Sequence, residues 1–200
     1  MNHSDEPVLH QNKTFTNVIY AGKKLLNREF EKCEFINCDF TKSDLSNNDF
    51  ESCTFKQCNF SLAIIENTGF RNASFIGCKI LGLDFTKCNK FLFSFAFSDC
   101  HLDYCTFFGT KLKKTNFLNC SMKEVEFSES DLSLAVFKNC DLTGARFQNT
   151  NLEKADFRTA QNFAIDPDVN KIKRAKFSVM NLEGLLLRYN LDISYEDDAE

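Results

Sequence analysis

The 200-residue chain has no tryptophan, two prolines, seven glycines and three histidines, and it carries no excess of basic charge. Lys and Arg number 24 against 28 Asp and Glu, a formal −4, which excludes a strongly basic nucleic-acid surface. No run of 18 apolar residues occurs, so a membrane-spanning helix is excluded. The stretch from Met1 to Pro7 lacks a basic segment followed by an apolar one, so no secretory signal is expected and the protein reads as cytoplasmic. In that reducing compartment the ten cysteines stay thiols, and a disulfide framework is not expected. A nucleophile elbow, a His-Glu-x-x-His helix and a phosphate loop are all missing. His3 and His10 lie in a polar N-terminal stretch, and His101 stands outside the core positions without a carboxylate partner. No enzyme chemistry, cofactor or small-molecule substrate is expected.

What is abundant is phenylalanine, 23 in all. From residue 28 the chain reads in fives, REFEK, CEFIN, CDFTK, SDLSN, NDFES, CTFKQ, CNFSL, each with a large apolar residue at its centre. Phe30, Phe35, Phe40 and Leu45 begin the series, and Phe15, Tyr20 and Leu25 fit the same frame. The pattern fails at Lys90 and resumes two residues out of frame, from Leu92 and Phe97 to Leu152 and Phe157. Of 29 such units, 17 have Phe at the centre. A strict period of five matches neither 3.6 nor 2.0, so ordinary helices and strands are both rejected here.

Two residues before each centre the side chain is mostly small: Cys, Ala, Ser, Thr or Val. All ten cysteines occupy this position, from Cys33 and Cys38 to Cys120 and Cys140. Cysteine is a habitual buried filler of this size. Metal knuckles need all four ligands converging from tight turns; the four-residue gaps of pairs such as Cys33/Cys38 and Cys100/Cys105 place successive cysteines on adjacent inner faces with no histidine among them, so they read as filler, with no metal site. A further period of twenty relates Cys100, Cys120 and Cys140, and likewise Phe97, Phe117, Phe137 and Phe157. The chain therefore returns above itself after four fives. The expected result is a four-sided β-solenoid of roughly seven coils, about 34 Å long at about 4.8 Å per coil, filled by its own side chains and without a pocket.

The sequence resembles the pentapeptide-repeat proteins, whose motif is A(D/N)LXX with an inward central Leu or Phe. The Asp or Asn before the centre is present at Asp39, Asp44, Asp49, Asn59, Asp84, Asn116, Asp131, Asp141, Asn151 and Asp156. The resemblance covers about Arg28 to Arg158 and implies an all-β, right-handed quadrilateral β-helix. By this reading residues 1–14 are a flexible tail, and 15–160 are solenoid with a frame slip near 88–96. Residues 161–194 form a turn, a strand and a short helix, and 195–200 are an acidic tail.

In the C-terminal segment Asp166-Pro167 reads as a stop signal, Ser178 as an N-cap and Asn190 as a left-handed C-cap. Leu182, Leu185, Leu186 and Tyr189 fall on one helical stripe that can cover the solenoid end. Met180 and Leu187 lie on another side, which predicts a homodimer, with Leu191 and Ile193 completing the interface. This layout resembles the Qnr and MfpA type subgroup, which implies end-to-end dimers and binding to DNA gyrase or topoisomerase IV by DNA mimicry, with protection against quinolones. The projecting loops common in that subgroup are absent; only the slip around Lys90–Phe93 interrupts the array.

From Arg28 to Arg158 there are 18 acidic and 16 basic residues, so the rod carries mixed charge. Glu29, Glu31, Asp49 and Glu51 form an acidic patch low on one side, and Lys111, Lys113, Lys114 and Lys154 answer it higher up. At the slip Phe91 and Phe93, with Phe95 and Phe108, either repack the bent coil or expose an aromatic patch to a partner. Two functional readings follow: a DNA-mimicking topoisomerase binder, or a scaffold for an unrelated protein partner.

Overall fold

The computed structural model describes residues 7–91 and 93–193. The chain winds as a four-sided β-solenoid in which every recorded strand pairing is parallel. On the first side Val8–Gln11, Arg28–Glu31, Asp49–Glu51 and Gly69–Arg71 pair in that order. The second side carries seven strands: Thr14–Thr16, Glu34–Ile36, Thr54–Lys56, Ala73–Ile76, Phe95–Ser98, Asn116–Leu118 and Val136–Lys138. The remaining two sides are held by isolated bridges such as Asp39 with Asn59 and Asp131 with Asn151.

Residues twenty apart stack, as their common backbone register requires. Phe30 and Phe50 lie 5.0 Å apart and almost parallel, as do Phe117 and Phe137. Neighbouring sides meet edge to face, for example Phe55 against Phe60 at 5.1 Å. Both arrangements suit the ring quadrupole. Between the rings, all ten cysteines are free and buried at the corners. Each turn of the column Cys38, Cys58, Cys78 sends its thiol to a carbonyl 23 residues back; Cys58 Sγ donates to Phe35 O at 3.4 Å. The Asp or Asn before the centre caps its own turn: Asp39 accepts from the Thr41 amide at 2.9 Å and from its hydroxyl at 2.6 Å. Asp44, Asn59, Asp84 and Asp141 do the same two residues on. That Asx turn is the physical reason for the motif's polar position.

Three expectations need correction. The array starts at Val8, not at residue 15, because Val8–Gln11 pairs in register with Arg28–Glu31. His10 takes the central slot of this first coil and stacks on Phe30 at 4.9 Å. An imidazole is flat and close to a phenyl ring in size, and its burial lowers its pKa. At the other end coils continue past 160. Lys171 bridges Asn151, Lys176 bridges Asp156, and Phe177 stacks on Phe157 at 5.5 Å. Lastly, the C-terminal segment is not one regular helix. Two 3-10 helices, Val179–Leu185 and Leu187–Tyr189, break at Leu186. The 3.6-residue stripe therefore has no common face: Leu185 and Leu186 are half-buried while Leu182 and Tyr189 are exposed. The caps do form, with Ser178 accepting from the Met180 amide and Asn190 left-handed at φ 48°. The acidic tail from Tyr195 and the centre at Leu92 lie outside the described residues.

Candidate functional site

The acidic patch assembles as the sequence implies. Glu29 faces Asp49 across adjacent strands, and Glu31 faces Glu51. Arg71, on the next strand, pairs with Asp49 and reaches Glu51 at 3.1 Å. Glu31 takes Lys32 at 2.8 Å and Gln11 at 2.5 Å, and those hydrogen bonds hold its carboxyl below the usual range. Room for this arrangement depends on Gly69, where a Cβ would stand 2.7 Å from Asp49 Oδ1. Two cations, Arg71 and Lys32, thus offset part of the patch's four carboxylates. Elsewhere, opposite charges also answer each other between coils: Lys56 with Glu34 at 2.5 Å, Lys123 with Asp141 at 3.5 Å, Lys176 with Asp156 at 3.8 Å. Higher on the first side, Lys111, Lys113, Lys114 and Lys154 are joined by Lys171, Lys173 and Arg174, which the sequence reading missed. Lys171 sits directly above Asn151, a register that becomes visible only once the last coil is recognised.

At the slip the coil is two residues longer. Phe75 pairs with Phe97 and Lys79 with His101, both 22 apart. The second side runs through this point unbroken, whereas the strand ladder of the first side ends at Gly69–Arg71. Among the described residues that side resumes as a bridge only at Lys111 with Asp131. The aromatics divide between the two expected roles. Phe95 is buried against Phe85 at 5.4 Å, Phe93 is half-buried against Phe95 at 4.2 Å, and Phe91 is 73% exposed. Phe108 is exposed one coil higher. The expectation of a rod without a pocket fails here. A cavity of about 240 Å³ opens between Phe85, Lys90, Phe93, Gly109, Thr110 and Lys111.

Of the apolar residues named for the C-terminal end, Leu185 and Leu186 are half-buried and the others are exposed, together with Val179, which was not among them. Val179, Met180, Leu187, Leu191 and Ile193 are all more than half exposed. Leu182 and Tyr189 are less so, and Leu185 turns in to pack on the core. The segment is anchored by backbone and ions: the Ile165 amide donates to Gly184 O at 2.9 Å. Asn181 Nδ2 donates to Ala160 O at 2.9 Å, and Arg188 spans Asp166 and Asp168. Gly184 is required by this docking, since a Cβ there would stand 2.4 Å from Phe163 O.

Among the described residues no three His, Cys, Asp or Glu side chains converge as metal ligands, and no helix is long and apolar enough to cross a membrane. These features define a closed repeat rod whose chemistry lies on its sides and ends. The chain belongs to the pentapeptide-repeat family: the family models for a pentapeptide repeat region match residues 90–157 and 110–188, and that for nine pentapeptide repeats matches 30–74. No curated protein matches it by sequence. Among solved structures it is similar to a trypsin-treated variant of QnrB1, a plasmid-mediated fluoroquinolone resistance protein. Identity there is 20%, with 90% of this chain and 100% of that chain covered at a TM-score of 0.51. It is also similar to HetL, a pentapeptide repeat protein involved in heterocyst differentiation regulation from the cyanobacterium Nostoc sp. strain PCC 7120. Identity is 13%, with 87% and 88% covered at a TM-score of 0.55. Both likenesses are of fold.

Proposed function

We propose that the protein is a non-enzymatic binding rod that pairs end to end through residues 179–193 and holds a protein partner along its side. The observation that carries this reading is the distribution of exposed groups. The C-terminal end concentrates unpartnered apolar side chains, while the sides carry ion pairs that neutralise one another between coils. An interface built on such a surface is read by shape and by local charge pairs. Imitation of DNA needs an unbroken line of negative charge, and Arg71 within the acidic patch and the lysines above it work against that line. A scaffold for a partner other than a topoisomerase is therefore the favoured form of the reading.

Association with DNA gyrase or topoisomerase IV is the second form, supported by the fold likeness to QnrB1. A gyrase supercoiling assay with and without ciprofloxacin separates the two. The scaffold form expects no change at micromolar protein; restored supercoiling in the drug's presence, or inhibition in its absence, would replace it with the topoisomerase form.

A further inference from the structure

Charge pairing between coils fails on one part of the rod. From Lys111 upward the first side bridges through Asp131 and Asn151 to Lys171, and the second side runs from Asn116 through Val136 and Asp156 to Lys176. Lys111 and Lys171 therefore stand at the two ends of one column, and Lys113 and Lys173 at the ends of the next. The left-handed corner between the sides carries Lys114, Lys154 and Arg174, with Leu134 as its one uncharged member. The second side adds Lys138 and Arg158 to Lys176. Against these ten cations the two sides set three carboxylates, Asp131, Glu153 and Asp156, which leaves a local +7. All ten are exposed, and among the described residues only Arg158 and Lys176 enter an ion pair, both with Asp156. The other two sides of the same coils carry Lys123 and Arg146 against Glu124, Glu126, Glu129, Asp141, Asp166 and Asp168. The whole-chain charge of −4 hides this segregation, and the exclusion of a strongly basic surface drawn from it does not hold here.

We propose that these two sides form a binding face for the phosphate backbone of duplex nucleic acid. The four coils from Lys111 to Arg174 rise about 14 Å at about 4.8 Å a step. That length of duplex carries about eight phosphates, and eight of the cations have no carboxylate partner. A core about 10 Å thick separates the face from the acidic sides. This exceeds the screening length of about 8 Å at physiological salt, so their repulsion reaches the face weakly. Other polyanions fit less well. Protein interfaces are centred on apolar and aromatic anchors, and single strands stack their bases on aromatic platforms. In these coils the two sides expose Leu134 as their one large apolar side chain, and no aromatic. A duplex backbone needs neither anchor, because counterion release supplies the affinity. The face uses no residue of the apolar C-terminal end, so it stands or falls apart from end-to-end pairing, and it leaves the remaining sides to a protein partner.

The test titrates the full chain into a fluorescein-labelled duplex of 20 base pairs and follows fluorescence anisotropy. Saturable binding at micromolar protein in 50 mM KCl is expected. With about four phosphates facing the protein, affinity should fall roughly 150-fold between 50 and 200 mM salt. The triple variant Lys113→Gln/Lys138→Gln/Lys173→Gln should bind at least about tenfold more weakly and with a flatter salt dependence, its circular dichroism unchanged. Lys42→Gln/Lys79→Gln/Lys87→Gln removes the same charge from exposed positions away from the face and should bind as the parent does. Absence of saturable binding to the duplex would overturn the proposal, and polyglutamate bound in its place would assign the face to an acidic protein. Equal losses in the two triple variants would overturn the location. Equal affinity for a single strand of 20 nucleotides would overturn the duplex class.

Discussion

At the scale of the residue, the winding depends on one backbone state repeated along the chain. Two positions after nearly every centre the residue sits left-handed, with φ of 51° at Asn37, 54° at Asn139 and 62° at Gly77. Asn and Gly adopt this state readily, but Leu62 and Leu134 adopt it too, at φ 58° and 62°. A Cβ-bearing residue there costs about 1–2 kcal/mol, less for Asn. Because both leucines are substantially exposed, Leu62→Asn and Leu134→Asn should each stabilise by about 0.5–1 kcal/mol in urea titration; destabilisation would show that their apolar contacts outweigh backbone strain. The corner thiols make a second prediction. Burial pushes the Cys53 and Cys105 thiols up from 9.0 to about 12, so the folded state favours the neutral thiol. Their contribution is fully present below pH 9 and is lost as pH rises toward 12, and the midpoint of urea unfolding should fall across that interval. In native buffer the ten thiols should resist alkylation, and all should react once the chain is unfolded.

At the scale of the element, the period of five was legible because Phe, Leu and Cys recur with little substitution, and the four-sided coil followed from it. The ends were harder to read. His10 fills a core slot with a polar residue, so a hydrophobicity pattern passes over it. Phe163 is buried although its frame predicts Asn162 at the centre; Asn162 is instead left-handed and exposed. The C-terminal stripe failed because helical spacing in a sequence does not distinguish an α-helix from two 3-10 helices broken by a kink. Docking of the end segment turns on Gly184. Gly184→Val should displace residues 178–193 from Phe163 and cost about 1–3 kcal/mol. Limited proteolysis would cut first near Val179 in this variant, and unchanged protection would mean that the close approach is relieved without undocking.

At the scale of the whole molecule, each coil touches only its neighbours, so stability accumulates by stacking. Phe117→Ala, in the middle of the second side, should cost about 3–5 kcal/mol, measured by urea titration. The apolar end governs assembly: Leu187→Glu, alone or with Leu186→Glu, should shift the protein from dimer to monomer by light scattering, and a dimer that persists would relocate the interface. The break in one hydrogen-bond ladder has a mechanical consequence. Among the described residues, tension along the axis between 71 and 111 is carried by fewer rungs on the first side than on the second, so a rod stretched from its ends should bend toward the second side and part first on the side with fewer rungs. The lower and upper coils would then leave as two separate force peaks, where an unbroken solenoid would unravel from its tips.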